Sequence, residues 1–274
     1  MSLLAPAELV NRSTADDRTD ALRISVITVT FNSAATLPDT LRSVAAQSHP
    51  TVDYIIIDGG STDATLAVVR NCGTPIAALV SEPDRGIYDA MNKGLEMATG
   101  DVVGFLNSDD MYADAQVLER VAAAFRDPLV DIVYGDIVFV SQQDTTRVVR
   151  LWTSRPYTPG LCASGWMPPH PSLYVRRSIY ERHGGYDLAF PAAADFEMAL
   201  RLLDKASLKS VYLPHVQVRM RMGGQSTRSI RNIISGSREV SRACRKHGLP
   251  GGFRFAVRRL LAKVPQFLQR PKSP

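Results

Sequence analysis

Residues 24–30 (ISVITVT) form an almost unbroken run of apolar and β-branched positions, the pattern of a strand buried on both faces. Asn32 and Ser33 follow, then Leu37, Leu41, Val44 and Ala45 at helical spacing with Pro50 beyond, so a helix is predicted there. The alternation recurs. Strands are predicted over 53–57, 76–80 and 102–106, and helices over 63–70 and 86–98. Strands and helices alternating at this length predict a mostly parallel sheet with right-handed crossovers. In such sheets ligands bind beyond the carboxyl ends of the strands. The polar clusters at 30–32, 58–60, 82–86 and 107–110 fall at those ends, so four strand exits should converge on one crevice.

After residue 130 the pattern changes. Strands over 131–140 and 147–151, with a polar turn between, predict a hairpin. Residues 156–171 are rich in Pro, Gly and aromatics and read as a long loop over a site. A short helix over 195–203 puts Phe196, Leu200 and Leu203 on one face, a last strand is predicted over 208–213, and 228–246 and 253–268 read as basic helices. Residues 1–22 have no clean period and read as a lead-in.

The 274 residues are 45% hydrophobic and 22% charged, with a mean hydropathy of −0.07, which excludes disordered, collagen-like and disulfide-scaffold classes. Three distant cysteines without CxxC spacing suit a reduced compartment and offer no zinc site. No apolar run approaches the roughly 20 residues of a bilayer crossing, and no basic segment followed by a long apolar core opens the chain. A soluble, cytoplasmic chain is the expectation.

The net charge of +5 hides an asymmetry: residues 1–218 carry 18 Lys/Arg against 26 Asp/Glu, and residues 219–274 carry 14 against the single acid Glu239. A basic tail attracts phosphates or anionic lipid, or is simply solvated. On a helix over 253–268, Phe253, Val257, Leu260, Leu261, Val264, Phe267 and Leu268 share one face opposite Arg254, Arg258, Arg259 and Lys263. Such a helix suits a membrane interface, or packs on the domain's own core, and Pro265 kinks or breaks it. No nucleic-acid-binding motif is present, and nucleic acid is not an expected partner.

Two clusters carry chemistry. Asn107-Ser108-Asp109-Asp110 at a strand exit suits a hard divalent cation that shares its ligands with phosphates, or is a solvated turn capping the next helix. Asp58-Gly59-Gly60-Ser61-Thr62-Asp63 lets a ligand approach glycine backbone beside a base-accepting carboxylate, or is a turn with a helix cap. It is neither a P-loop nor a dinucleotide fingerprint.

In combination, ISVITVTFN at 24–32, DGGSTDAT at 58–65, EPDRGIYDAMNKG at 82–94 and FLNSDD at 105–110 resemble the family 2 glycosyltransferases with a GT-A fold. Within that family the chain is similar to bacterial enzymes of exopolysaccharide (colanic acid) or glycolipid biosynthesis, which share the late Gly223-Gly224-Gln225-Ser226. The resemblance implies an α/β, Rossmann-like GT-A domain over 23–226. Its nucleotide-sugar half would span 23–112 and its acceptor half 113–226, with a basic helical extension over 227–274. It further implies transfer, with inversion, of a sugar from a UDP- or GDP-type donor to a hydroxyl of a saccharide or lipid-linked acceptor, assisted by Mn2+ or Mg2+. A lipid-linked acceptor would suit contact between 252–274 and the cytoplasmic face of the inner membrane.

Carried over by position, Thr30 and Asn32 would line the nucleotide pocket and Asp58 would contact the base. Asp84 and Arg85 would lie near ribose and diphosphate, with Tyr88, Asn92 and Lys93 on the helix behind. Asn107 and Ser108 would join the nucleotide site, and Asp109, with Asp110 next to it, would bind the metal. Asn107 replaces the usual first acid, which removes one negative charge. Asp195 would be the base that deprotonates the acceptor. Without the family it reads equally as a helix cap. Glu197, about 200° around the same helix, cannot face the site with it. His170 would touch acceptor or leaving phosphate, Trp166 would stack on a sugar or pack its loop, and His215 and Arg221 are further candidates for diphosphate contact. His49, His183 and His247 read as surface or cap positions. Two rival classes are a non-catalytic nucleotide-sugar-binding subunit and a sugar-nucleotide pyrophosphorylase; the latter needs a glycine-rich basic loop where Phe31-Asn32-Ser33 stands.

Overall fold

In the computed structural model, residues 21–223 and 230–249 are described. The helix expected over 253–268, the contact through 252–274, most of the lead-in and positions 224–226 lie outside them. The first strand, β1 (Ile24–Thr30), is buried at every position. It divides its side chains by the twofold period of a strand. Ile24 and Val26 pack on one face of the sheet, Ile27 and Val29 on the other.

β2 (Val52–Asp58) and β3 (Ala78–Ser81) join β1 on one side and β4 (Val102–Phe105) on the other, all parallel. The carboxyl ends of these four strands therefore lie along one edge, as their polar exits predict. α1 (Leu37–Ala45), α2 (Thr65–Asn71) and α3 (Ile87–Met97) connect them at the expected places. Gly94 lets α3 lie against β1, since a Cβ there would come within 2.4 Å of Ile27 Cγ2.

Beyond β4 come the two-residue β5 (Met111–Tyr112), α4 (Val117–Ala124), and the hairpin of β6 (Ile132–Val140) with β7 (Val148–Trp152). β8 (Tyr174–Arg176) leads directly into α5 (Arg177–His183). α6 (Ala194–Ala199) continues as a π-helical turn over Leu200–Lys205, and β9 (Ser210–Arg221) and α7 (Ile230–Lys246) follow. The sheet order is β3-β2-β1-β4-β8-β6-β9-β5, with β7 beside β6. β8 runs antiparallel between β4 and β6, and β6 and β9 are again parallel. The result is a mixed α/β fold around a mostly parallel central sheet.

One expectation is corrected. The last strand does not stop at residue 213 but runs on to Arg221, because Pro214 and His215 are accommodated where the β6–β9 register shifts between Leu213 and Val216. Proline breaks a strand pattern in sequence, yet a bulge tolerates it. The extension matters, because it brings Arg221 beside the 107–110 loop. Two histidines also move. His49 is buried with Nε2 on the Leu22 carbonyl, and His247 bonds to Glu197.

Candidate active site

The exits of β1, β2 and β4 are laced to one another. Asn32 adopts a left-handed φ of 48°, and its Oδ1 accepts the N–H groups of Thr62 and Asp63 while its own N–H donates to Ser61 Oγ. Ser33 N–H donates to Thr65 Oγ1, and Ser108 Oγ donates to Ser33 Oγ at 2.9 Å. Asp58 is fully buried: Oδ2 accepts Gly60 N–H, Ser61 N–H and Ser81 Oγ, and Oδ1 accepts Ser61 Oγ at 2.5 Å. Its carboxylate thus shapes the glycine ledge after β2.

The loop after β3 is fixed just as locally. Asp84 Oδ1 accepts Gly86 N–H at the start of α3, and its Oδ2 lies where a Cβ on Gly59 would be, 2.4 Å away. Arg85 is mostly exposed and pairs with Asp89 at 2.7 Å, which holds that carboxyl below its ordinary value. Lys93 donates to the Pro83 carbonyl and pairs with Glu82 at 2.7 Å, tying the loop to α3. Asn92 points elsewhere: its amide brackets the backbone of Tyr186, taking its N–H and donating to its carbonyl.

After β4, Asp109 is partly exposed and Asp110 is completely buried. Asp110 Oδ1 accepts Arg221 N–H at 3.1 Å, while burial and the adjacent Asp109 push its carboxyl well up. Asp110 therefore faces into the loop and Asp109 is the more accessible acid. Arg221 is also buried, and each of its three guanidinium nitrogens donates to the protein: to Asp109 O, Gln142 O and Asp39 Oδ2. It braces the loop rather than extending into the crevice, which corrects its expected contact with a diphosphate.

Two buried oxygens at these strand exits, Thr30 Oγ1 and Asn107 Oδ1, have no hydrogen-bond partner. Buried polar atoms are normally satisfied, and although Ser154, Tyr180 and Gln217 carry similar orphans elsewhere, a bound ion or ligand at the strand exits would supply partners for these two. Oxygen donors of this kind fit a hard divalent ion. Among the described residues no group of three His, Cys, Asp or Glu could hold a metal by itself. The site thus fits an ion that takes one or two protein oxygens and draws the rest from phosphate and water.

An aromatic cluster lies beside the end of β4. Phe105, the last residue of β4, stacks on His170 with ring centroids 5.9 Å apart and meets Tyr186 edge-on at 5.4 Å. His170 Nε2 bonds to Tyr186 Oη at 2.6 Å, and Tyr186 stacks on Tyr88 of α3. Asp195 lies against this cluster. Burial and its charge push the Tyr88 phenol up, and the same charge opposes the lowering of the His170 imidazole by burial. Asp195 is the second residue of α6, half-buried, with Oδ1 on Phe196 N–H; the capping position is Ala193, which makes no side-chain cap. Glu197 points away, as helical geometry requires, and is buried against Arg201, Lys246 and His247.

Two expected residues stand outside. Trp166 packs edge-on against Tyr134 at 5.9 Å and tilts on Tyr157, so it fastens its own loop. His215 is exposed at the β9 register shift, six residues and about 20 Å of extended strand from Arg221, near Asp114. Sequence reasoning missed Asp39, Ser81 and Tyr186. Nothing in the local sequence marks their roles here, because the bonds from Ser81 to Asp58, Tyr186 to Asn92 and Asp39 to Arg221 span 23, 94 and 182 residues.

The model of the family described as Glycosyl transferase family 2 matches residues 25–184. A PGL/p-HBAD biosynthesis glycosyltransferase of Mycobacterium bovis BCG is 32% identical over 207 residues, covering 71% of this chain and 74% of that protein. Among solved structures, the mannosyltransferase PcManGT of Pyrobaculum calidifontis, in complex with GDP-Man and Mn2+, is similar with a TM-score of 0.64 at 20% identity, over 92% of this chain and 77% of that one. TarS of S. aureus is similar with a TM-score of 0.60 at 17% identity, over 90% of this chain, which spans 43% of that longer one. The structural likenesses show the fold, GT-A. The sequence match shows the family, and the chain belongs to glycosyl transferase family 2 as a glycosyltransferase.

Proposed function

We propose that the protein is a metal-dependent, inverting enzyme that moves a sugar from a nucleotide-diphosphate donor to a hydroxyl of a saccharide or lipid-linked acceptor. The observation that carries this reading is one strand serving two carboxylates. β4 ends in Phe105, whose ring leads through His170 and Tyr186 to Asp195, and two residues on the chain enters the Asn107–Asp110 turn with its orphaned oxygen. This linkage supports a reading in which Asp195 serves as the base and the Asn107–Asp110 loop holds a cation.

In this reading Thr30, Asn32, Asp58 and the glycine ledge shape the nucleotide pocket, Asp84 and Arg85 border the diphosphate, and Asn107, Ser108 and Asp109 hold the ion. A divalent ion bound there would neutralise the charge that grows on the leaving diphosphate. Asp195 accepts the acceptor's hydroxyl proton as the oxygen forms its bond to the anomeric carbon and the carbon–diphosphate bond breaks on the opposite face. The aromatic walls around Asp195 exclude water, which favours transfer over hydrolysis of the donor. The relative named for PGL/p-HBAD biosynthesis supports a lipid-linked acceptor, and the complexes of PcManGT with GDP-Man and of TarS with UDP-GlcNAc support a nucleotide-sugar donor. The basic segment 252–274 would bring the enzyme to an anionic membrane surface.

The test has two parts. UDP and GDP, each with and without Mn2+, should raise the melting temperature only for the matching base and only with metal. Asp195→Asn should retain that shift and lose transfer. Retained transfer by Asp195→Asn, or stabilisation independent of metal, would refute the reading.

A further inference from the structure

Arg221 is 8% exposed, stands at the end of the last strand, and contacts three separate segments. Its Nη2 donates to Asp39 Oδ2 of α1 at 2.5 Å, its Nη1 to the carbonyl of Gln142 in the β6–β7 turn at 2.9 Å, and its Nε to the carbonyl of Asp109 at 3.3 Å. Its own N–H donates to Asp110 Oδ1. α1 grips the same loop a second time, because Thr40 Oγ1 donates to the Asp110 carbonyl at 2.7 Å. The backbone on both sides of the peptide joining Asp109 to Asp110 is therefore fastened from beneath, while Asp109 itself stays partly exposed.

Within the turn the bonds are few, Asp110 N–H to the Asn107 carbonyl at 3.1 Å and Asn107 Nδ2 to Asp110 Oδ2 at 3.5 Å, so most of its fastening comes from outside. A carboxylate that must share an ion with a diphosphate needs its backbone fixed, since ligand-orienting partners set metal affinity. We propose that Arg221, anchored by Asp39, is a positioning residue that holds the 107–110 loop in the geometry in which Asp109 binds the metal–diphosphate unit. This rests on the metal-dependent reading above. The planar guanidinium is what the arrangement requires. Three acceptors lie around one plane, and a lysine ammonium, a point charge on a flexible stem, cannot serve all three.

The test is a titration of the full chain with Mn2+ in the presence of UDP or GDP, followed by loss of the electron paramagnetic resonance signal of free Mn2+. Wild type and Asp195→Asn should bind alike. Arg221→Lys should bind Mn2+ about 10- to 100-fold more weakly. Asp39→Asn, which leaves the buried arginine in place, should show a smaller loss of about 3- to 10-fold in the same direction. A merely structural arginine would lower the melting temperature without altering Mn2+ affinity. Equal affinity in wild type and both variants overturns the inference and leaves the metal reading standing. Absence of nucleotide-dependent Mn2+ binding by wild type overturns both. Should Arg221→Lys fail to fold, Asp39→Asn decides.

Discussion

Asn92 in α3 holds Tyr186, 94 residues later, by both backbone groups: Oδ1 accepts its N–H at 2.8 Å and Nδ2 donates to its carbonyl at 2.9 Å. Gly185 permits the approach, because a Cβ there would come within 2.4 Å of Asn92 Oδ1. The side chain thus joins α3 to the segment between α5 and α6. Asn92→Ala leaves two peptide groups without partners and should destabilise the fold by about 2–3 kcal/mol. Nucleotide affinity should stay within about twofold of wild type, because Asn92 faces Tyr186. Denaturant melts and a UDP or GDP titration check the two halves of this prediction.

Glu197 is wholly buried, with Lys246 Nζ and His247 Nε2 each 2.8 Å from Oε1 and Arg201 Nε 3.2 Å from Oε2. Burial alone would raise its carboxyl; the cations outweigh that and hold it below the ordinary 4.5. Lys246 is held above its ordinary 10.5, since its bonds to Asp187 and Glu197 outweigh burial. A depressed acid stabilises the fold above its unfolded value, and that contribution disappears as pH falls through the folded one. A raised lysine stabilises below 10.5 and loses its contribution as pH climbs past its folded value. Glu197→Gln should therefore cost about 2 kcal/mol, moderated because Lys246 is half-exposed and keeps Asp187. The gap in melting temperature to wild type should shrink on the acid side, as pH falls below 4.5 and the Glu197 carboxylate of wild type takes up its proton.

Gly59→Ala places a methyl where the Asp84 carboxylate lies. That carboxylate sits at the end of a short side chain and can swing away, so the melting temperature should barely move. Its bond to Gly86 N–H would be lost with it, loosening the loop proposed to border the diphosphate. The KM for donor should rise several-fold with kcat little changed, which steady-state kinetics would show.

Tyr88→Phe keeps the ring stacked on Tyr186 and deletes the hydroxyl beside Asp195. Loss of one hydrogen-bonding group next to the proposed base should reduce kcat by about tenfold, equivalent to about 1.4 kcal/mol. Stability should stay within about 1 kcal/mol. An unchanged kcat would mean that the ring alone matters at this position.

The alternation of apolar runs and amphipathic stretches up to Phe105 determined by itself the parallel half of the sheet and the line of polar exits. β1, β2 and β4 there are buried on both faces while the edge strand β3 is only half-covered, and the helices carry apolar positions at helical spacing; these patterns are local. The sequence also marked Asp109 and Asp195 as acids at element ends. It could not show that β9 continues past Pro214 and His215, because a bulge is paid for by pairing with β6 and has no local signature. The short β5 and β8 went unread for the same reason: two or three residues become a strand only when a neighbour supplies the hydrogen bonds.

Tertiary structure alone decided how these groups divide their tasks. Arg221 and Asp110 were drawn inward, Asp109 was left accessible, Asn92 was committed to a backbone 94 residues away, and Trp166 was placed against Tyr134. Composition and spacing state which polar groups stand at a strand end. Which of them bond to the protein depends on long-range partners, because a buried polar atom takes the donor or acceptor that packing brings to it.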